Sequence, residues 1–282
     1  MITQKELQRK ADNANIAITQ IEKDYMLTWI LAGIAQDETL KNHLLFKGGT
    51  LLKKCYFEDY RFSEDLDFTV YKNGSLSEKD VENGFLRVCE YVKTESQNQL
   101  SFDAELKINR QGNITFEMGY VSVLGGFGAN KKIKVDVSLT EKMVNEPVLK
   151  SVFHSYSDQV QSELQCYSLE EVLSEKMCAL MTRLQPRDLF DLWYLLEIHE
   201  MRIDEHYNSF SQKANHRGID SANFLGKFDE TRLRSFEKQW NNVLQNQIED
   251  LPKFEAVERE LKRHFRVFDE YLRKQKIIQS PE

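Results

Sequence analysis

The chain has 282 residues, 41% hydrophobic and 29% charged, with a formal net charge of −7. That length suits one large domain or two modest ones, and no apolar run approaches the ~18 residues that a membrane span needs. The acidic balance argues against broad, nonspecific nucleic-acid binding, which depends on neutralising phosphates. The N-terminus, Met1-Ile2-Thr3-Gln4-Lys5-Glu6, lacks the apolar core of a signal peptide, so the expected location is the cytoplasm. The four cysteines (Cys55, Cys89, Cys166, Cys178) form no C-x-x-C pair and the histidines no H-E-x-x-H. This speaks against zinc and for reduced, packed thiols.

In chain order, residues 5–36 predict helix, with Ile21, Met26, Leu27, Trp29, Ile30 and Leu31 at helical spacing. A second helix is expected over Leu44 to Tyr56. Leu66-Asp67-Phe68-Thr69-Val70 alternates as a strand does, and Asn73-Gly74-Ser75 predicts a turn. Residues 77–97 predict helix again. From Ser101 to Leu139 a meander of strands is expected: Leu106 to Ile108, Ile114 to Met118, Tyr120 to Leu124 and Ile133 to Leu139. Gly125-Gly126-Phe127-Gly128 between the last two predicts a hairpin turn, since no G-K-[ST] and no helix follow it. After Ser168 the patterns are helical, which puts an expected domain boundary near residue 165, between domains 1–165 and 166–282.

The strongest chemical signal is Phe46-Lys47-Gly48-Gly49-Thr50, followed by Arg61-Phe62-Ser63-Glu64-Asp65-Leu66-Asp67-Phe68. Residues two apart on a strand face the same way, so Asp65, Asp67 and Thr69 share one face. Adjacent carboxylates repel unless a cation lies between them, and Mg²⁺ favours one or two carboxylates plus substrate phosphates. On the later strand, Val135 and Val137 point to the core and Asp136 points the other way with Lys134 and Ser138. If the two strands are neighbours, three carboxylates converge, an arrangement suited to a pair of metal ions. A bare D-x-D is also what a solvated strand edge looks like. The preceding glycines favour function, because they let the backbone approach a phosphate and a helix N-terminus at Thr50 would present N–H donors to it.

Ser168-Leu169-Glu170-Glu171 predicts a capping box at the start of a helix. Down that helix Leu169, Val172, Leu173 and Leu180 form an apolar stripe with Lys176 in its middle. A buried ammonium needs an anionic partner, a triphosphate or an aspartate; otherwise it snorkels to water. Further on, Leu189, Leu192, Trp193 and Leu196 mark a core face. Arg187 and Asp191 then lie opposite, at the spacing of a surface ion pair. The helix expected from Val257 to Lys276 carries Arg259, Lys262, Arg263, Arg266, Arg273, Lys274 and Lys276 among acids. It fits a solvated helix, with an RNA-binding edge as the functional alternative.

These residues resemble the AbiEii-type toxins, a branch of the DNA polymerase beta nucleotidyltransferase superfamily found in bacterial type IV toxin–antitoxin and abortive-infection systems. The resemblance covers Ile21 to Tyr25, Lys47-Gly48-Gly49-Thr50, Arg61 to Phe68, Lys134-Val135-Asp136, Lys176 to Ala179 and Arg187 to Asp191, in order along the chain. Thr50 stands where many relatives have Ser. The stretch beyond about residue 200 carries no motif of the family. The resemblance implies an α+β nucleotidyltransferase fold, a mixed sheet with flanking helices, followed by a C-terminal helical bundle. It implies Asp65, Asp67 and Asp136 as ligands of Mg²⁺ or Mn²⁺ and as carriers of the chemistry with Lys176. Gly48, Gly49, Thr50, Arg61, Ser63, Lys176, Arg187 and Asp191 would then bind the nucleoside triphosphate. The implied acceptor is RNA, with the tRNA 3′ end foremost, and the implied partner is a cognate antitoxin. The alternatives are nucleotidylation of a protein or small molecule, or a module that holds a nucleotide without catalysis. An intact set of Asp65, Asp67 and Asp136 favours catalysis.

Overall fold

The computed structural model describes residues 1–71, 76–102, 106–109, 112–125 and 131–279. The turn expected at Asn73-Gly74-Ser75 and the Gly126-Phe127-Gly128 part of the expected hairpin lie outside the described residues. The chain forms two compact units: Met1–Glu141 with Pro147–Tyr167 and Gln247–Glu249, and Lys142–Glu146 with Ser168–Asn246 and Asp250–Glu282.

The first unit opens with two helices rather than the single one that the periodicity predicts. These are α1 (Gln4–Ala14) and α2 (Ile18–Gln36). Asn15 breaks them: it takes a left-handed conformation (φ 47°) and its N–H caps the carbonyls of Ala11 and Asp12, as Asn does readily at a helix end. α2 is buried nearly all round, including Glu22 and Asp24. After α3 (Glu38–His43) comes β1 (Leu44–Lys47), where a helix was expected. The run Leu44-Leu45-Phe46 is buried throughout. A short run of uniform apolarity does not distinguish a buried strand from a helix. The helix begins only at Gly48, as α4 (Gly48–Leu51), and runs on as a wider turn over Leu52–Tyr56.

The remaining elements of the unit are β2 (Leu66–Val70), α5 (Glu78–Ser96), β3 (Leu100–Ser101), β4 (Lys107–Ile108), β5 (Ile114–Tyr120), β6 (Lys131–Ser138), β7 (Val148–Ser151) and β8 (Glu163–Cys166). Val121 to Leu124, expected as strand, continues no ladder. Ser122 and the backbone N–H of Leu124 donate instead to the buried Glu22 carboxylate, at 2.7 and 3.1 Å, and Lys131 also pairs with it. Among the described residues the strands form one mixed sheet in the order β3-β5-β6-β2-β1-β8-β7, with β4 on β5. β2 runs parallel to β6, and β1 parallel to β8; the other pairings are antiparallel. β2 is therefore an interior strand, and Asp67 does not lie on a sheet edge.

The second unit is helical: α6 (Leu169–Thr182), α7 (Pro186–Trp193, running on over Tyr194–Ile198), α8 (Tyr207–His216), α9 (Glu230–Leu244) and α10 (Phe254–Gln279). Its core is aromatic, with Phe224 in edge contact with Phe210, Phe228, Phe265 and Phe268. Only half of the expected capping box forms. Ser168 accepts from the Glu171 N–H, but the Glu171 carboxylate turns to Lys213 (2.6 Å) and to the N–H of Asn145 (2.9 Å). Glu171 and Lys213 are both fully buried, so each charge is matched where water cannot reach it. On α10 the cations pair with acids: Lys262 with Glu258 at 2.6 Å, Arg273 with Asp269 at 2.7 Å, and Arg263 with Glu197. That is how a solvated, charge-laced helix behaves. No described helix is long and apolar enough to cross a membrane.

Candidate active site

Four neighbouring strands place one residue each in a single row. Thr115 on β5 is the partner of Asp136 on β6, Asp136 of Asp67 on β2, and Asp67 of Lys47 on β1. Residues opposite each other across a ladder project from the same face, and strands lie about 4.8 Å apart. All four are half-buried, while the alternating neighbours Phe46, Leu66, Phe68, Val135, Val137, Ile114 and Phe116 are buried. The apolar face of the sheet thus packs into the core and fixes the register. The opposite face carries an in-line set of hydroxyl, carboxylate, carboxylate and ammonium.

The turn after β1 is folded onto this row. Gly48 has φ +83°, in the left-handed region that favours glycine. A Cβ there would lie under 3.0 Å from Asp67 Oδ2, and one on Gly49 under 3.0 Å from the Arg61 guanidinium. The sequence suggested that the two glycines admit a phosphate. What they admit in this structure is the protein's own acid and its own guanidinium.

Thr50 is buried in the first turns of α4, and its hydroxyl donates to the Asp65 carbonyl at 2.5 Å. This bond ties the glycine turn to the approach of β2. Asp65 is half-buried, one residue ahead of the strand. Arg61 is buried; it donates to Gln247 Oε1 at 3.2 Å and lies 5.7 Å from the Tyr60 ring. Ser63 is buried, with its carbonyl taking a bond from Gln20.

Asp136 is held at both oxygens: the Thr115 hydroxyl donates to Oδ1 and Lys134 to Oδ2, each at 2.5 Å. Partial burial works against the Lys134 ammonium. The bond to Asp136 and the charges of Asp136, Asp65 and Asp67 outweigh it, and the pKa of Lys134 stands above its ordinary value. Lys134 therefore feels all three carboxylates at once. As the side chains stand, no three His, Cys, Asp or Glu among the described residues gather closely enough to ligate one ion. The donor chemistry still suits a hard divalent cation, which prefers carboxylate oxygen. Three acids flank one half-exposed ammonium that a metal would relieve of its role.

At the other end of the row, Lys47 lies 3.8 Å from Glu141 Oε2 and 5.7 Å from the Tyr167 ring centre. The Tyr167 hydroxyl bonds Thr69 at 2.7 Å, two residues along β2 from Asp67. Thr115 and Glu141 did not stand out in the sequence, and Lys47 was given no role there; Lys47 and Thr115 owe their place to cross-strand register. Lys47 did carry one signal, its position directly before Gly48-Gly49.

Lys176, Arg187 and Asp191 belong to the second unit. Lys176 does not snorkel: it is buried, 3.0 Å from Asp188 Oδ1 and 2.6 Å from Asp191 Oδ2. Asp191, expected on an outer face, is fully buried. Its partner is Lys176 rather than Arg187, which is half-buried. Arg183 completes the group with two bonds to Asp188, at 2.6 and 3.0 Å. Burial pushes the Asp188 carboxyl up, but Lys176 and Arg183 more than reverse this and hold it below the usual carboxylate range. Asp188 sits inside the Arg187 to Asp191 block of the resemblance and had no assigned part in the sequence; here it pairs with both Lys176 and Arg183.

JHP933 from Helicobacter pylori is similar in fold, at 18% identity and a TM-score of 0.53, covering 93% of this chain and 96% of that one. MenT4, the nucleotidyltransferase toxin Rv2826c from Mycobacterium tuberculosis H37Rv, is similar at 16% identity and a TM-score of 0.50, covering 86% and 100%. No curated protein sequence matches significantly. The family model for the nucleotidyl transferase AbiEii toxin of type IV toxin–antitoxin systems matches residues 29–274. That span takes in the glycine turn, all three acids and the buried Lys176 network, and the chain belongs to the AbiEii nucleotidyl transferase toxin family.

Proposed function

We propose that the face carrying Asp67 and Asp136 transfers a nucleotidyl group from a nucleoside triphosphate to a hydroxyl of RNA, foremost a tRNA 3′ end, and so arrests growth. The observation that carries this is the in-register pairing of Asp67 with Asp136, with Gly48 folded against the Asp67 carboxylate. The acceptor oxygen bonds the α-phosphorus, the bridging bond to the β-phosphate breaks, and pyrophosphate leaves. Asp136, whose side chain is 30% exposed, is the carboxylate that takes the hydroxyl proton, at the Oδ2 atom that Lys134 must first release. Asp65, Asp67 and Asp136 would hold Mg²⁺ or Mn²⁺, which neutralises charge on the phosphates. The register fixes the backbones of Asp67 and Asp136 side by side, and their side chains, with Asp65, would close in to share an ion. Gly48, Gly49, Thr50, Arg61 and Ser63 are proposed to shape the bed for the nucleotide. For Lys176, Arg187 and Asp191 a nucleotide role is supported by the resemblance, which covers Lys176 to Ala179 and Arg187 to Asp191. The cognate antitoxin follows from family membership.

The test is incubation with each α-labelled triphosphate and Mg²⁺, in the presence of purified tRNA, total RNA, protein extract or none. Label on tRNA is the expected result. Label on protein or a small molecule would replace the acceptor while keeping the chemistry, and tight triphosphate binding without transfer would make this a non-catalytic module.

A further inference from the structure

The residues that lead into β2, from Arg61 to Asp65, belong to no helix or strand, so individual hydrogen bonds must set their course. Two of these bonds come from far along the chain. Gln247 lies between α9 and α10, yet Gln247–Glu249 belongs to the first unit together with Arg61. The Gln247 carbonyl accepts from the Phe62 N–H at 2.8 Å. Its side-chain Oε1 accepts from Arg61 Nη1 at 3.2 Å, across 186 positions of sequence. Arg61 and Gln247 are both buried. A guanidinium is a rigid, planar fork, so holding Nη1 decides where Nη2 goes. Nη2 lies against Gly49, where a side chain on that residue would begin. Gln247 thus grips Arg61 and Phe62 by side chain and by backbone, and the grip carries through to the glycine turn.

We propose that Gln247 is a positioning residue for nucleotide binding, acting through Arg61. This rests on the preceding assignment of Arg61 to the nucleotide bed. Gln247 stands in the stretch that carries no family motif, so its part follows from its contacts alone. An amide carbonyl suits the task, because it accepts from the guanidinium and adds no charge of its own. It orients the cation without weakening the attraction of that cation for an anionic substrate. A carboxylate in the same place would bond Arg61 more strongly and would compete with the triphosphate for it. The neutrality of the side chain therefore matters as well as its reach.

Isothermal titration of the full chain with a nonhydrolysable nucleoside triphosphate, beside a melting curve for every variant, tests this. Gln247→Ala should weaken triphosphate binding by about tenfold. Gln247→Glu should melt at or above the wild-type temperature and still bind about tenfold more weakly. Arg61→Ala and the double variant Arg61→Ala/Gln247→Ala should bind equally, since Gln247 then has nothing left to position. A purely structural Gln247 would give wild-type affinity in Gln247→Glu and a further loss in the double variant; either result overturns the inference. If Gln247→Ala does not fold, Gln247→Glu decides alone, because it keeps the bond. Wild-type affinity in Arg61→Ala also overturns it. If wild type binds no triphosphate, this inference and the reading beneath it both fail. If wild type transfers, Arg61→Ala binds weakly and both Gln247 variants bind normally, only the role of Gln247 is wrong.

Discussion

Gly48 and Asp67 occupy each other's space: the carboxylate oxygen of Asp67 lies where a side chain at position 48 would begin. The turn and the acid are therefore one construction. Gly48→Ala faces both a positive φ and a collision, and each costs on the order of 1–3 kcal/mol. The expected outcome is a lower denaturant midpoint together with loss of nucleotide transfer, measured on the same preparation. Wild-type transfer in Gly48→Ala would show that Asp67 need not sit where the turn puts it.

Lys176 yields a prediction opposite to the one its sequence context suggests. Set in an apolar stripe, its removal could be expected to stabilise the free protein. Buried against Asp188 and Asp191, its removal leaves acid charge without its partner, and breaking such a pair costs about 3–5 kcal/mol. Lys176→Ala should therefore melt well below wild type. An unchanged or raised melting temperature would mean that the network adds nothing to stability.

The sign of the Asp188 shift sets a pH dependence. Its folded-state pKa is depressed, so its contribution is complete above the unfolded value of about 3.9 and is lost as pH falls through the lower folded value. The stability gap between wild type and Asp188→Asn should be widest near neutrality and should close below about pH 4. Urea unfolding of both proteins across pH 3–7 measures it. A gap that grows on acidification would reverse the assigned sign.

Much of this architecture was legible from residue order, and the rest fails to show for specific reasons. Leu66-Asp67-Phe68 alternates because one face of β2 is packed and the other is not, so the acidic face could be read directly. Leu44 to Phe46 does not alternate, because all three are buried, and the strand was hidden in an expected helix. Lys47 was therefore quoted with the glycine turn but could not be seen as the ladder partner of Asp67. Likewise Asp136 could be placed on a face but not in a row, since register between strands 69 positions apart leaves no local trace. The inward turn of Asp191 was missed because a charged residue is counted as exposed until its partner, Lys176, is known.

The central claim is that Asp67 and Asp136 carry nucleotidyl transfer, and the most direct measurement is the rate of label transfer from an α-labelled triphosphate to tRNA by wild type, Asp67→Asn and Asp136→Asn. Both substitutions keep side-chain shape and remove one charge from the row. The account predicts circular dichroism melts near wild type and transfer lowered by about a thousandfold or more, on the scale of losing a main electrostatic group of an active site. Transfer by either folded variant at the wild-type rate would contradict it.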